Sequence, residues 1–268
     1  MKKYLSYFQM RFNTMLQYRA SAIAGVCTQF FWGLMQILIY IAFYKSATSN
    51  NISLEQLVSY VWLRQAFFSL LNHITDPEIR TCVESGNISY ELTKPLDLYW
   101  MWYSKTVSSR LSTALLKCLP ILLITAFLPV GYSLKLPINW MAAILFLISI
   151  VLGTLIMSAV VNLFYVSIFY TTTSKGTVSI FYAILEFFGG GFIPIALMPL
   201  FWQRVCYIVP FGLATDLPFR IYTGNISAIN RITIYWFAIS MVDCINIYRS
   251  LIIKQSIKES CNSRRLIK

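Results

Sequence analysis

Three ionisable residues stand where the sequence is otherwise apolar: Arg64 in "YVWLRQAFFSL", Glu186 in "ILEFFGGGF" and Asp243 in "SMVDCINIY". At the centre of a membrane helix each costs about 2.5–3.5 kcal/mol by insertion scales, so such residues face a bundle interior or a polar path. Two readings are open. These groups line or gate a translocation route, with Arg64 paired to Glu186, or each pairs or snorkels near a boundary for purely structural reasons. A second group is acidic: Asp76, Glu78, Glu84, Glu91 and Asp97 are five of the ten Asp and Glu residues and fall within 22 positions. Carboxylates at that density either keep a loop soluble or meet basic residues of a partner.

Bond chemistry has little to work with. No GxxxxGK[ST] phosphate loop occurs, so this chain does not bind ATP in that way. His73 is the one histidine, which excludes HExxH sites and His-rich metal clusters, and no GxSxG elbow is present. The six cysteines show no CxxC spacing, so neither a zinc site nor a disulfide framework is supported. The sequence therefore points to no catalytic residue and no metal ligand.

The elements that must position these groups are membrane helices. The 268 residues are 57% hydrophobic and 12% charged, with a mean hydropathy of +0.64, against about 25% charged in soluble domains. Several stretches reach the roughly 20 apolar residues that cross the hydrocarbon. We expect one all-α transmembrane domain over residues 1–268 with six spans, near 20–44, 54–74, 111–130, 140–170, 178–195 and 232–253. Residues 1–18 read as an interfacial amphipathic helix: Leu5, Phe8, Phe12 and Met15 form one side, and Lys2, Lys3, Arg11 and Arg19 can meet lipid phosphates. The alternative is that they are the frayed start of the first span. Gln9, Arg11 and Asn13 interrupt any signal-peptide core, so the segment is expected to be retained.

Breakers divide the second half. Gly189, Gly190, Gly191 and Pro194 interrupt the fifth segment, which cannot be one straight helix. Residues 193–225 stay apolar but carry Pro199, Pro210 and Pro218, which suggests short re-entrant helices dipping into the outer leaflet between spans five and six. Ser104, Ser108 and Ser112 give the third helix a small-residue face suited to close packing.

The basic residues sit at span ends, which accounts for the net charge of +12 without a nucleic-acid partner. With both termini inside, sixteen Lys and Arg fall on the cytoplasmic side and five outside, as positive-inside sorting demands. The polar segment 75–103 then faces the cytoplasm. Tyr99, Trp100, Trp102 and Tyr103 are expected as anchors at the inner boundary, and Trp140, Trp202 and Trp236 near the outer one.

"LQYRASAIAGVCTQFFWG", "YVWLRQAFFSL" and "EIRTCVESGNISYELTKPLDLYWMWYSKTVSSRL" resemble the membrane-spanning permease subunit of ABC transporters, in the ABC-2-type exporter class and its branch of paired permeases of about this length. The resemblance runs over roughly residues 1–225 and departs where Asp243, Asn246 and Arg249 enter the expected last span. It implies a bacterial-type cell membrane, a second permease subunit of the same or a homologous chain, and a separate cytoplasmic ATPase. ATP and Mg would then be held by that partner and no cofactor by this chain. It also implies a coupling element that docks on the ATPase, here Ile79, Glu84, Gly86, Asn87, Ile88, Tyr90, Glu91 and Leu92. A proton-coupled secondary transporter using Glu186 and Asp243 is the alternative, since intramembrane acids and a broken helix suit it too. A membrane enzyme has no constellation to support it.

Overall fold

Ser53 shows how local chemistry starts a helix here. Its hydroxyl accepts the Gln56 N–H at 3.2 Å while its own N–H donates to Gln56 Oε1 at 3.1 Å, a reciprocal cap. The helix that follows, α3 (Leu54–Ala66), is buried on nearly every face, from Leu57 through Leu63. An all-round buried helix marks the middle of a bundle.

The computed structural model describes residues 2–46, 52–72, 74–85, 87–168 and 174–225. Before α3 come α1 (Lys2–Leu16) and α2 (Arg19–Ser46); after it come α4 (Phe68–Leu71), α5 (Pro77–Glu84), α6 (Ile88–Leu92), α7 (Leu98–Ala126), α8 (Trp140–Ile168) and α9 (Ser174–Phe188). A 3-10 turn, Ile195–Leu197, leads to α10 (Leu200–Ile208), α11 (Pro210–Thr215) and α12 (Leu217–Thr223). Every element described is helical. α3 packs between α2, α7 and α12, and α8 packs against α7, α11 and α12. Trp62 stacks on Phe30 at 5.5 Å and donates its indole N–H to the Tyr132 carbonyl at 2.6 Å, pinning the 130s turn over the bundle.

Among the described residues three helices are long and apolar enough to cross a membrane: Arg19–Lys45, Leu98–Ala126 and Trp140–Tyr165. One expected span is interrupted. The one placed at 54–74 breaks at Phe67 (φ −93°, ψ 9°) and stops at Leu71. The fifth segment is helical over the 15 residues Ser174–Phe188, then breaks at the glycines. The sixth span, 232–253, lies outside the described residues.

The third helix begins well before residue 111. Asp97 caps it, its carboxylate accepting the Trp100 N–H at 3.2 Å, and the helix runs 29 residues from Leu98. The polar segment therefore ends at Asp97 rather than 103. Tyr99 and Trp102, expected as boundary anchors, are buried instead, while Trp100 is exposed. Lys105, Arg110, Thr106, Ser108 and Ser112 lower the hydropathy of this first half, but they are buried within the protein, where partners other than lipid surround them.

Helix α1 lies along α7. Ser108 donates to the Phe8 carbonyl at 2.9 Å, so the small-residue face expected on the third helix receives α1. Tyr4, Tyr7, Phe8, Arg11, Phe12 and Met15 are its half-buried side. Phe8, Phe12 and Met15 of the expected apolar side lie on it, but Leu5 is exposed, and Arg11 pairs with Glu78 at 3.2 Å rather than standing free for lipid.

Candidate functional site

The segment after α4 is built as an anchored bracket. Asp76 accepts the Glu78 N–H at 2.8 Å and Pro77 occupies the first helical position, which together start α5. Ile79 is 3% exposed and packs in a cluster with Met101, Trp102 and Tyr165. The Asp76 N–H donates to Tyr165 Oη at 2.6 Å. Lys105, buried on α7, lies 3.1 Å from Asp76 Oδ2 and 2.6 Å from Glu78 Oε2. The bracket is thus held to α1, α7 and α8 at once.

Hydrogen bonding from Lys105, with the charges of Lys105 and Arg11, holds the Glu78 carboxyl below its ordinary value of 4.5. A depressed carboxyl contributes stability that is present above its unfolded value and lost as pH falls through the folded one. Hydrogen-exchange protection of the α5 amides is therefore expected to persist from neutral pH down to about 4.5 and to decline only below it. In Lys105→Met protection is lower even at pH 7; identical profiles in the two proteins defeat the anchoring role.

The residues implied as an ATPase contact divide into two sets. Ile79 faces inward as an anchor, and Ile88 is half-buried against the same cluster. Glu84, Asn87 and Tyr90 are exposed, Tyr90 at 73%, which is high for so large a side chain. Glu91 pairs with Lys94 at 2.6 Å across one turn, and Leu92 closes α6. Gly86 and His73 lie outside the described residues. Of the five clustered acids, Asp76 and Asp97 cap helices and Glu78 holds Lys105, so their work is internal.

Arg64 and Glu186 meet. Arg64 Nη2 is 3.3 Å from Glu186 Oε2, with side chains 17% and 11% exposed, and Arg64 Nη1 donates to the Gly190 carbonyl. Tyr182 donates to Glu186 Oε1 at 3.4 Å. Gly190 takes φ +71°, a left-handed conformation that suits glycine, and a Cβ on Gly191 would overlap the Glu186 carboxylate. Gly189 is tied to α11 through the Thr215 hydroxyl, which donates to its carbonyl at 2.7 Å. Pro194 then opens the 3-10 turn. The glycine bend and the charge pair are thus one unit joining α3 to α9. Asp243 lies outside the described residues.

The sequence reading passed over Asp216, which is fully buried. Tyr60 donates to its Oδ1 at 2.7 Å and Tyr207 to its Oδ2 at 2.5 Å; Arg220 donates to Tyr207 Oη at 2.5 Å and to Asn225 O at 3.0 Å. Arg220, one of the five basic residues counted on the outer side, is a member of this network. A signal was available: Asp216 is the sole acid between Glu186 and Asp243, set among proline-broken helices.

Large apolar side chains cover the outside of the long helices, among them Phe31, Trp32, Leu38 and Ile39 on α2 and Met141, Leu147, Ile148 and Val151 on α8. A surface of that kind belongs to lipid, and the chain is a multi-pass membrane protein. More narrowly, the profile of the family described as ABC-2 family transporter protein matches residues 13–255, and the chain belongs to that family: it is a membrane permease of an ABC transporter. The match continues past residue 225, so the expected departure at Asp243 does not take the C-terminal part out of the family. No curated protein matches the chain.

Proposed function

We propose that this permease is the membrane half of an exporter, in which two such subunits, identical or homologous, form the pathway and a separate cytoplasmic ABC ATPase drives it. The observation that carries this reading is the bracket. A loop that is to transmit motion must be stiff on its membrane side and presented on its soluble side. Ile79, Asp76 and Glu78 are fastened to α7 and α8, while Glu84, Asn87 and Tyr90 are turned outward. A nucleotide-driven push on the outward residues would move α5 and the long helices together.

The finer topology follows the same reading: six spans, both termini in the cytoplasm of a bacterial-type cell membrane, and residues 193–225 as re-entrant outer helices. Support comes from the basic-residue asymmetry and from the short helices α10, α11 and α12, each under ten residues. Arg64 and Glu186 would form a latch beside the pathway, with Asp243 a further candidate pathway charge. Exposed Ile180, Ile184 and Phe187 on α9 suit contact with lipid or the second permease. No cofactor is assigned to this chain; ATP and Mg belong to the ATPase. Membership of an ABC family leaves the proton-coupled alternative without support.

The test is co-purification with the ATPase of the same transporter. Glu84→Lys with Tyr90→Ala is expected to weaken the complex at least tenfold, the effect of losing about 1.4 kcal/mol or more from a contact centre, and to abolish substrate-stimulated ATP hydrolysis. An unchanged complex and unchanged stimulation sink the docking role.

A further inference from the structure

Between α1, the start of α2, α7 and residues 69–78 lies a cavity of about 510 Å³, bordered on one side by the bracket's Asp76, Pro77 and Glu78. Arg110 forms part of its wall. That side chain is 5% exposed, and Nη1 donates to the Leu70 carbonyl at 2.6 Å. Its Nε and Nη2 have no hydrogen-bond partner among the described residues, and the same holds for the Thr106 hydroxyl and Arg11 Nε, also at this cavity.

Lys117 lines the same space two turns further along α7, packed over Gly25, where an added Cβ would overlap its ammonium. The cavity also meets two carboxylates, Asp76 and Glu78, but both are engaged by Lys105, and Glu78 by Arg11 as well. Arg110 and Lys117 therefore lack a countercharge among the described residues. A buried guanidinium with open donors is costly unless something supplies negative charge. Water satisfies donors but leaves the charge uncompensated, whereas a tetrahedral oxyanion does both, and the guanidinium fork matches it with paired bonds.

Position narrows the ligand. Tyr18 and Ser21, at the rim, are exposed and stand at the head of the first apolar helix, where the chain passes from interfacial to hydrocarbon composition. That is the depth at which lipid phosphates lie.

We infer that this cavity is a binding site for a phosphate group, contacted by Arg110 and Lys117 and carried by an anionic phospholipid headgroup or by a soluble phosphate. The inference stands apart from the ATPase-docking reading, because it needs neither the partner nor transport. Its test uses the protein purified in detergent and reconstituted into nanodiscs of phosphatidylcholine with phosphatidic acid. Native mass spectrometry reads retained lipid, and thermal stability against inorganic phosphate in lipid-depleted detergent reads the soluble arm.

Binding in at least one arm is expected, and Lys117→Gln should weaken it about tenfold, the loss of one charge-assisted contact. Ser109→Asp, which sets a negative charge on the cavity wall, should weaken it as much. Arg110→Gln should remove binding, and Arg110→Lys, which keeps the charge but loses the fork, should still weaken it and serves where Arg110→Gln fails to fold. Retained phosphatidic acid without a response to phosphate identifies a headgroup; a response to phosphate alone identifies a soluble ligand. No binding in either arm, or binding in Lys117→Gln and Ser109→Asp equal to that of the unaltered protein, overturns the site.

Discussion

Arg64→Ala is expected to destabilise the protein by about 3–5 kcal/mol, the usual loss when one member of a buried pair is removed and its partner is left uncompensated. Glu186 would then keep the Tyr182 hydroxyl on its Oε1 at 3.4 Å but lose its guanidinium partner, and the Gly190 carbonyl would lose the Arg64 donor. Glu186→Ala should cost comparably. The swap Arg64→Glu with Glu186→Arg should recover part of the loss and no more, because a glutamate at 64 cannot donate to the Gly190 carbonyl. Denaturant unfolding of the four proteins in one detergent measures this. A double variant no more stable than either single one would falsify the pair as a structural unit. If the latch also gates transport, Glu186→Gln should change export rate in a protein that remains folded.

The second large effect belongs to Asp216. Asp216→Leu leaves the buried phenol of Tyr60 and the half-buried phenol of Tyr207 without their acceptor and takes a carboxylate from the network that holds Arg220. Each unmade buried hydrogen bond costs about 1–3 kcal/mol, so the total should approach 3–5 kcal/mol. Tyr60→Phe removes one donor and leaves the carboxylate a second phenol, and so should cost about 1–2 kcal/mol. Asp216→Asn keeps one acceptor oxygen and should fall between. The ranking is the informative result: Asp216→Leu no worse than Tyr60→Phe would mean that the network contributes little and that packing of Phe219 against Tyr60, at 5.7 Å, holds the region.

Both predictions rest on residues that the sequence treats unequally, and the reason is physical. Arg64 and Glu186 were conspicuous because each interrupts an apolar run, and isolated charge in such a run demands a partner. Asp216 is less conspicuous because it stands in a proline-broken stretch of short helices, where no long apolar run sets it off as it does Arg64 and Glu186. The start of α7 was misplaced for a related reason. Hydropathy averages over a window, and Lys105, Arg110 and the serines depress it. The local signal, an aspartate followed by "LYW", is an N-cap that a stricter reading of helix starts would have used. The same signature, "DPE", begins α5.

Ile79 shows the limit most plainly. The family resemblance implied that it belongs to the partner contact, whereas the fold turns its side chain inward against Met101 and Trp102. Alternation of inward and outward residues over a helix as short as α5 depends on what it lies on.

What the sequence by itself determined is the class of molecule. Apolar blocks, the 189–191 glycines, the prolines and the distribution of basic residues are local properties, and each acts on the chain whatever its neighbours do. Only the tertiary structure decided which charges meet. The Arg64 and Glu186 pair joins residues 122 apart, and the Tyr60 and Asp216 bond joins residues 156 apart. In a low-dielectric interior the partner of a charge is whatever packing brings within a few ångströms, and no window of sequence contains both ends of such a contact.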